Sequence, residues 1–273
     1  MPSETETLKK TLSSSYLHDK WIDTYIDDSK VLYDLVFDDL KKIVWEQESN
    51  KALDAGCGNG VNSLRLLNRD FNVTACDFSE SALAHCKVFL EKHLKENNCQ
   101  LFREDLLSLS FRDNEFDVVV CWGVLMHIYE IERALGELCR VTKKGGYVII
   151  CEVSLTAFDS LVIKVLKNIF KRSERGLKSK FGIDYWSETP AGKIIVRKTN
   201  IKILVDFMSV NGFDLVKKIP GQFSQFYTKF TSKLFRNTIL KFNLFWFKHL
   251  KFTSPSVEQV LVFKKNDRNI HRV

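Results

Sequence analysis

The chain has 273 residues, 45% of them apolar and 27% charged, with a net charge of +7. This length holds one large α/β domain or two small ones, and the composition is that of an ordinary globular protein. No apolar run reaches the roughly 20 residues of a membrane span, and "MPSETETLKK" lacks the apolar core of a secretory signal, so a cytoplasmic location is expected.

Seven cysteines, an odd number, lie between Cys57 and Cys151 without a CxxC pair or zinc spacing. They read as reduced core thiols, and no metal site is expected. The charge is divided along the chain. Residues 1 to 156 carry 18 Lys and Arg against 26 Asp and Glu, whereas residues 157 to 265 carry 21 against 7. An acidic front half and a basic back half suggest a scaffold followed by a partner-facing surface.

The first 30 residues are polar with scattered aromatics, and the apolar spacing of "VLYDLVFDDLKKIVWEQE" (31 to 48) predicts a helix. From residue 51 strands and helices alternate. "KALD" leads through a glycine loop into the helix "VNSLRLLNRD", and "FNVTACD" is a second strand. The next helix opens at Ser79, an N-cap candidate with Glu80 in its first turn. "CQLFRED" is a third strand, and "FDVVVCW" is a fourth whose continuous apolar run suits burial on both faces. "IYEIERALGELCRVT" is a helix and "YVIICEV" a fifth strand, so βαβ units and a parallel sheet are expected. After residue 154 come an amphipathic helix, an irregular stretch, a helix capped by Asn200, a strand, a Phe- and Lys-rich insertion and the closing strand "EQVLVFKK".

The glycine loop, "LDAGCGNG", carries the first chemical signal. A strand, a glycine turn and a helix N-terminus form a nucleotide-binding corner. No Gly-Lys-Ser/Thr follows, which removes the P-loop reading, and the spacing is GxGxG rather than the GxGxxG of a dinucleotide site. Asp77 ends the second strand 17 residues past Gly60, where a carboxylate can accept from two adjacent ribose hydroxyls. Asp105 ends the third strand. An amino group on an adenine lying over that strand needs such an acceptor; a nicotinamide dinucleotide has no necessary use for it.

"LDAGCGNG" (53 to 60), "CDFS" (76 to 79), "EDL" (104 to 106), "FDVVVCWGVLMHI" (116 to 128) and "RVTKKGGYVII" (140 to 150) together resemble the class I S-adenosylmethionine-dependent methyltransferases, most of all the quinone and small-molecule subgroup. The resemblance implies a doubly wound, Rossmann-like sheet of seven strands, mostly parallel with an antiparallel last strand, under a helical cap. It implies one domain: a helical cover (1–50), a cofactor-binding core (51–154), cap insertions (155–199 and 222–254), and closing helix and strands (200–221 and 255–265). S-adenosylmethionine would be the cofactor. Asp54, Gly56, Cys57, Gly58 and Gly60 would surround its methionine portion and ribose. Asp77 would hold the ribose hydroxyls, Phe78 and Leu106 the adenine ring, and Asp105 the adenine amino group. Cys121 and Trp122 would line the wall near the sulfonium.

His127, just after the fourth strand, is the candidate general base, and it also reads as a lining or capping residue. Glu152 is a second candidate that otherwise faces solvent. No Asn/Asp-Pro-Pro-Tyr follows the fourth strand, and no proline precedes Cys121, which argue against nucleobase amine and cytosine-C5 methylation. Tyr185, Trp186 and Arg197 lie in a strap, "DYWSETPAGKIIVRKTN", that would touch substrate. The insertions include Phe230, Leu234, Ile239, Leu240, Phe245, Trp246 and Phe247, too apolar for a solvated loop. They suit a packed lid over a soluble molecule, or a surface touching an anionic membrane from its inner face, or an RNA-binding face, against which stands the lack of any recognisable RNA-binding module. The expected activity is methyl transfer to a small-molecule or amphipathic acceptor, such as a sugar or glycan hydroxyl or a lipid-like ring. RNA methylation and a non-catalytic cofactor-binding subunit are the alternatives.

Overall fold

The apolar runs assemble into one sheet. The computed structural model describes residues 4–44, 50–93, 99–170, 176–229 and 231–266. Strands β1 (Lys51–Ala55), β2 (Asn72–Asp77), β3 (Cys99–Arg103), β4 (Phe116–Trp122), β5 (Thr142–Val153), β9 (Phe213–Pro220) and β10 (Glu258–Lys265) lie in the order β3-β2-β1-β4-β5-β10-β9. The β1, β2, β3, β4 and β5 pairings are parallel, whereas β10 runs antiparallel to both β5 and β9. The expected seven-stranded sheet with an antiparallel last strand is present.

Alternation along β4 explains why both faces are covered. Val119 and Cys121 enter a core with α5 (Ile131–Val141) and α7 (Ile201–Val210). Val118 and Val120 enter the opposite core with α2 (Ser15–Val44), α3 (Val61–Leu67) and α4 (Glu80–Lys92). A strand buried on both faces needs apolar residues at every position, as "FDVVVCW" nearly provides. Two caps form as the side chains predict: Ser79 Oγ accepts from the amide of Ala82, and Asn200 Oδ1 from the amides of Lys202 and Ile203.

In two places the structure adds to the sequence reading. Helix α1 (Glu4–Leu12) and the first half of α2 lie in the segment given as a helical cover (1–50), where the first 30 residues show no helical period. Leu8, Leu12 and Leu17 are buried there, too few to make a periodic pattern that stands out. The first insertion is also not wholly helical. After α6 (Phe158–Ile169), strands β6 (Leu177–Ser179), β7 (Gly182–Thr189) and β8 (Gly192–Thr199) form a second, antiparallel sheet. The strap is thus the β7–β8 hairpin, its turn at Pro190-Ala191 and its return strand opened by Gly192 at φ +130°. A proline-glycine turn between alternating β-branched runs was the available signal. The second insertion is α8 (Lys233–Phe245), continued by a π-helical turn, Trp246–Leu250. Phe230 lies outside the described residues.

Candidate active site

The site is built at the carboxyl ends of β1, β2 and β4, where the strand order reverses and an α/β sheet leaves a crevice. Gly56, Gly58 and Gly60 have φ of +79°, +51° and +81°, which L side chains rarely adopt. Their surroundings separate their roles. A Cβ at Gly56 would lie 2.6 Å from Val124, and one at Gly60 would lie 2.5 Å from Cys86 Sγ, so both serve close packing. A Cβ at Gly58, or at Gly123 beyond β4, would meet nothing within 4 Å. The middle glycine therefore faces open space, where a ligand can approach the backbone.

Asp77 borders that space. Its Oδ1 accepts from the Ser79 amide at 2.9 Å and its Oδ2 from the Gly58 amide at 3.1 Å. Burial raises its pKa, and the two amides oppose that rise. Each oxygen retains a second lone pair, so two hydroxyls of a diol can bond to the same carboxylate. Asp54 Oδ2 accepts from the Ser63 hydroxyl at 2.6 Å, and burial lifts its pKa to about 6. The Cys57 amide donates to the Cys76 carbonyl at 2.9 Å, fixing the loop on β2. Asp105 accepts from the Leu107 amide at 3.0 Å and pairs with Lys9. Leu106 is buried in the core, and Phe78 packs beside Leu12, Leu17 and Ile194. These residues fit an adenosyl group: an open cradle, a diol acceptor, and a second carboxylate at the end of the next strand.

At the end of β4 the alternation corrects one expectation. Cys121 is fully buried in the α5-side core, and burial pushes its thiol pKa well above the usual value, so it does not line the cleft. Trp122 points the other way, edge-on to Tyr33 at 5.2 Å between centroids and against Phe37 at 5.3 Å. His127, on the 3-10 turn Leu125–His127, sets Nδ1 2.7 Å from the Ile195 carbonyl. That oxygen only accepts, so Nδ1 carries the proton and the neutral ring keeps its basic lone pair on Nε2. Burial lowers the pKa of the ring, favouring this neutral state.

Glu152 does not face solvent: it is 1% exposed, and neither oxygen meets hydrogen-bond geometry. Burial raises its pKa to about 8, although the Leu125 and Met126 amides and Arg197 lie near enough to favour its charge. Arg197 is likewise buried. It forks onto Asp184 at 2.7 and 3.1 Å and donates to the carbonyls of Leu125 and Ile128. Its guanidinium clamps the cap sheet to the turn after β4 rather than meeting a substrate. Tyr185 and Trp186 are half-buried on β7, with Lys198 Nζ 5.0 Å from the Tyr185 ring centre.

Comparison with known proteins bears on the family and the fold. The Methyltransferase domain family model matches residues 53–150. A phosphatidylethanolamine N-methyltransferase of Cereibacter sphaeroides is 31% identical over 53% of this chain and 71% of that enzyme. The chain is a class I S-adenosylmethionine-dependent methyltransferase. An uncharacterized protein of Methanocaldococcus jannaschii is 30% identical over 75% of this methyltransferase and 82% of that protein. A demethylmenaquinone methyltransferase of Thermobifida fusca is 38% identical, over 37% of this chain and less than half, 43%, of that enzyme. Among solved structures, the magnesium protoporphyrin IX methyltransferase of Synechocystis, with bound SAH, has a TM-score of 0.62 at 17% identity, covering 95% of this chain and 99% of that one. Its likeness is one of fold.

The N-terminal segment, expected as a helical cover, reaches two of the candidate site strands. Lys9 of α1 pairs with Asp105, and His18 Nε2 lies 3.0 Å from Ser79 Oγ beside Asp77. Thr11 sits against Gly192 of the cap hairpin, so α1 is wedged between the glycine-loop side and the cap sheet. A polar network also joins distant segments: the Tyr33 hydroxyl donates to Glu258 and accepts from Gln222 at 2.7 Å, and Gln225 donates to Glu258 at 2.8 Å. Among the described residues no cluster of His, Cys, Asp or Glu could hold a metal ion, and no helix is long and apolar enough to cross a membrane.

Proposed function

We propose that this methyltransferase methylates an amphipathic, lipid-like acceptor, its nucleophile a ring carbon, an amine or a hydroxyl, at the inner face of an anionic membrane. The reading is supported by open space beside Gly58 and beside Gly123, with the Asp77 carboxylate on the Gly58 amide. When bound, S-adenosylmethionine supplies an electrophilic methyl for in-line displacement. The protein's part is to align the acceptor lone pair with that methyl and to exclude water, and orientation alone supplies much of such a rate.

In this reading Asp54, Gly56, Cys57, Gly58 and Gly60 surround the amino-acid part and ribose, Asp77 takes the ribose hydroxyls, and Asp105 takes the adenine amino group. Phe78 and Leu106 hold the adenine ring, with Leu106 acting through the core it is packed in. Trp122 with Tyr33 and Phe37 forms the aromatic wall, and Tyr185 and Trp186 of the cap hairpin contact the acceptor. His127, its Nε2 lone pair set by the Ile195 bond, removes the proton when the nucleophile is a hydroxyl. The core (51–154, closed by 200–221 and 255–265) binds the cofactor, and the covers (1–50, 155–199 and 222–254) select the acceptor. The lipid-like class is supported by relatives named for phosphatidylethanolamine and demethylmenaquinone methylation, and by the apolar cap.

The test is isotope capture. Purified protein with labelled-methyl S-adenosylmethionine is incubated with total lipid, soluble metabolites and RNA in separate reactions. Label in a solvent-extractable lipid product is the expected result. Label confined to soluble metabolites or to RNA would overturn the acceptor class.

A further inference from the structure

Helix α6 is amphipathic, yet its apolar stripe is not buried. Phe158, Leu161, Val165 and Ile169 recur at helical spacing and are 39%, 61%, 49% and 66% exposed. Asp159 is the only residue of the helix that is buried, and it accepts from the Gln225 amide at 2.8 Å. Leu161, Val165 and Ile169 of this helix gain little burial within the described fold.

A second apolar surface joins it. Phe158 stacks on Phe223 at 5.2 Å, and Phe223 contacts Phe242 at 5.2 Å and Trp246 at 4.4 Å. From there Phe235, Phe245 and Phe252 are 59%, 48% and 62% exposed. The two helices thus meet through one chain of rings, and both turn aromatic or aliphatic side chains outward.

The segments that carry these rings are basic. Residues 215 to 257 contain eight Lys or Arg and no Asp or Glu, and α6 adds Lys164 and Lys167 against the buried Asp159. A second copy of the chain would bring the same cations to the same face, and like charges across an interface repel. Nucleic acid would satisfy the lysines and leave the aliphatic stripe of α6 in water. An anionic bilayer satisfies both, since basic residues meet headgroup phosphates while Phe, Leu and Ile enter the acyl boundary.

We infer that the outward faces of α6 and α8 form a membrane-docking surface, which seats the protein on anionic phospholipid with the cap against the bilayer. Only α6 and α8 need enter the interface, and among the described residues no helix is long and apolar enough to cross it. The inference rests on the proposed lipid-like acceptor and names the route by which such an acceptor reaches the cleft.

The experiment is co-sedimentation of the full chain, without cofactor or turnover, with phosphatidylglycerol–phosphatidylcholine vesicles and with phosphatidylcholine vesicles alone. The expected result is binding to the anionic vesicles that survives in part at about 0.5 M salt, because screening leaves apolar insertion intact. Leu161→Glu with Ile169→Glu should weaken that binding by about tenfold or more. Both positions are more than half exposed, and unchanged S-adenosylhomocysteine binding by calorimetry will show that the variant is folded. Phe252→Glu should act in the same direction from the α8 side. Absence of wild-type vesicle binding at low salt would overturn the inference, as would equal binding by the α6 double variant. Binding to RNA that matches vesicle binding and vanishes at high salt would overturn it too, as would a wild-type dimer that the double variant splits without losing vesicles. Intact vesicle binding with a water-soluble acceptor in the isotope experiment would strike the acceptor reading alone.

Discussion

Replacing Asp77 separates the proposed ligand role of this carboxylate from its role in holding the loop. Each oxygen takes one backbone amide, Ser79 at 2.9 Å and Gly58 at 3.1 Å. Hydrogen bonds to a charged acceptor contribute about 1.5–3 kcal/mol each. Two ribose hydroxyls on the remaining lone pairs therefore contribute roughly 3 kcal/mol or more, which is about 10²-fold in affinity. Asp77→Ala should lose at least that factor for S-adenosylhomocysteine in titration calorimetry. Asp77→Asn keeps one acceptor oxygen and should fall between the alanine variant and wild type. Asparagine also turns an NH2 toward one of the two amides. A buried amide left without an acceptor costs about 1–3 kcal/mol, so this variant should melt at a lower temperature even without ligand. Alanine-variant affinity within about threefold of wild type would refute the assignment, since neither hydroxyl bond could then depend on Asp77.

Three further outcomes follow from the geometry. Lys9→Ala should tighten cofactor binding about two- to fivefold, because an ion pair more than a third exposed contributes only about 0.2–1 kcal/mol and competes for Asp105; weaker binding would mean that Lys9 helps to hold the ligand. His127→Ala should lower kcat by about 10²-fold with a hydroxyl acceptor while S-adenosylhomocysteine affinity is kept, and wild-type kcat should rise with pH through a pKa below 6.5. Unchanged kcat would leave the bond to Ile195 as the whole role of the ring. Glu152 has a folded pKa near 8 against 4.5 for an ordinary glutamate, so the folded state binds its proton more tightly. The stability it contributes is complete below pH 4.5 and is lost as pH rises through 8. In denaturant melts Glu152→Gln should remove that decline, and equal slopes for the two proteins would show that the wild-type carboxyl is solvated.

What could be read from the sequence was local chemistry. The glycine loop, Asp77 and the β4 run each pack their meaning into a few adjacent residues, because a tight turn, a strand end and a doubly buried strand impose requirements at short range. What could not be read were contacts whose partners lie far apart. Tyr33 and Glu258 are separated by 225 positions, and Lys9 and Asp105 by 96, so no spacing rule connects them. Arg197 shows the same gap from the other side. Its residue type announced a fork for a carboxylate, and only the β7–β8 register supplies that carboxylate from Asp184 instead of from a substrate. The Lys9 contact has the larger consequence. The ammonium of α1 takes the carboxylate proposed for the adenine amino group, and a cap hairpin packs against the other side of that helix. Both partners of the ion pair are partly exposed, so parting them costs little, whereas Leu8 and Leu12 must leave buried surroundings if α1 moves as a whole. At about 1.5–3 kcal/mol per leucine, that burial exceeds the ion pair. Under the role proposed for Asp105, Lys9 can therefore swing aside while the helix stays seated, and α1 need not unfold to free that carboxylate.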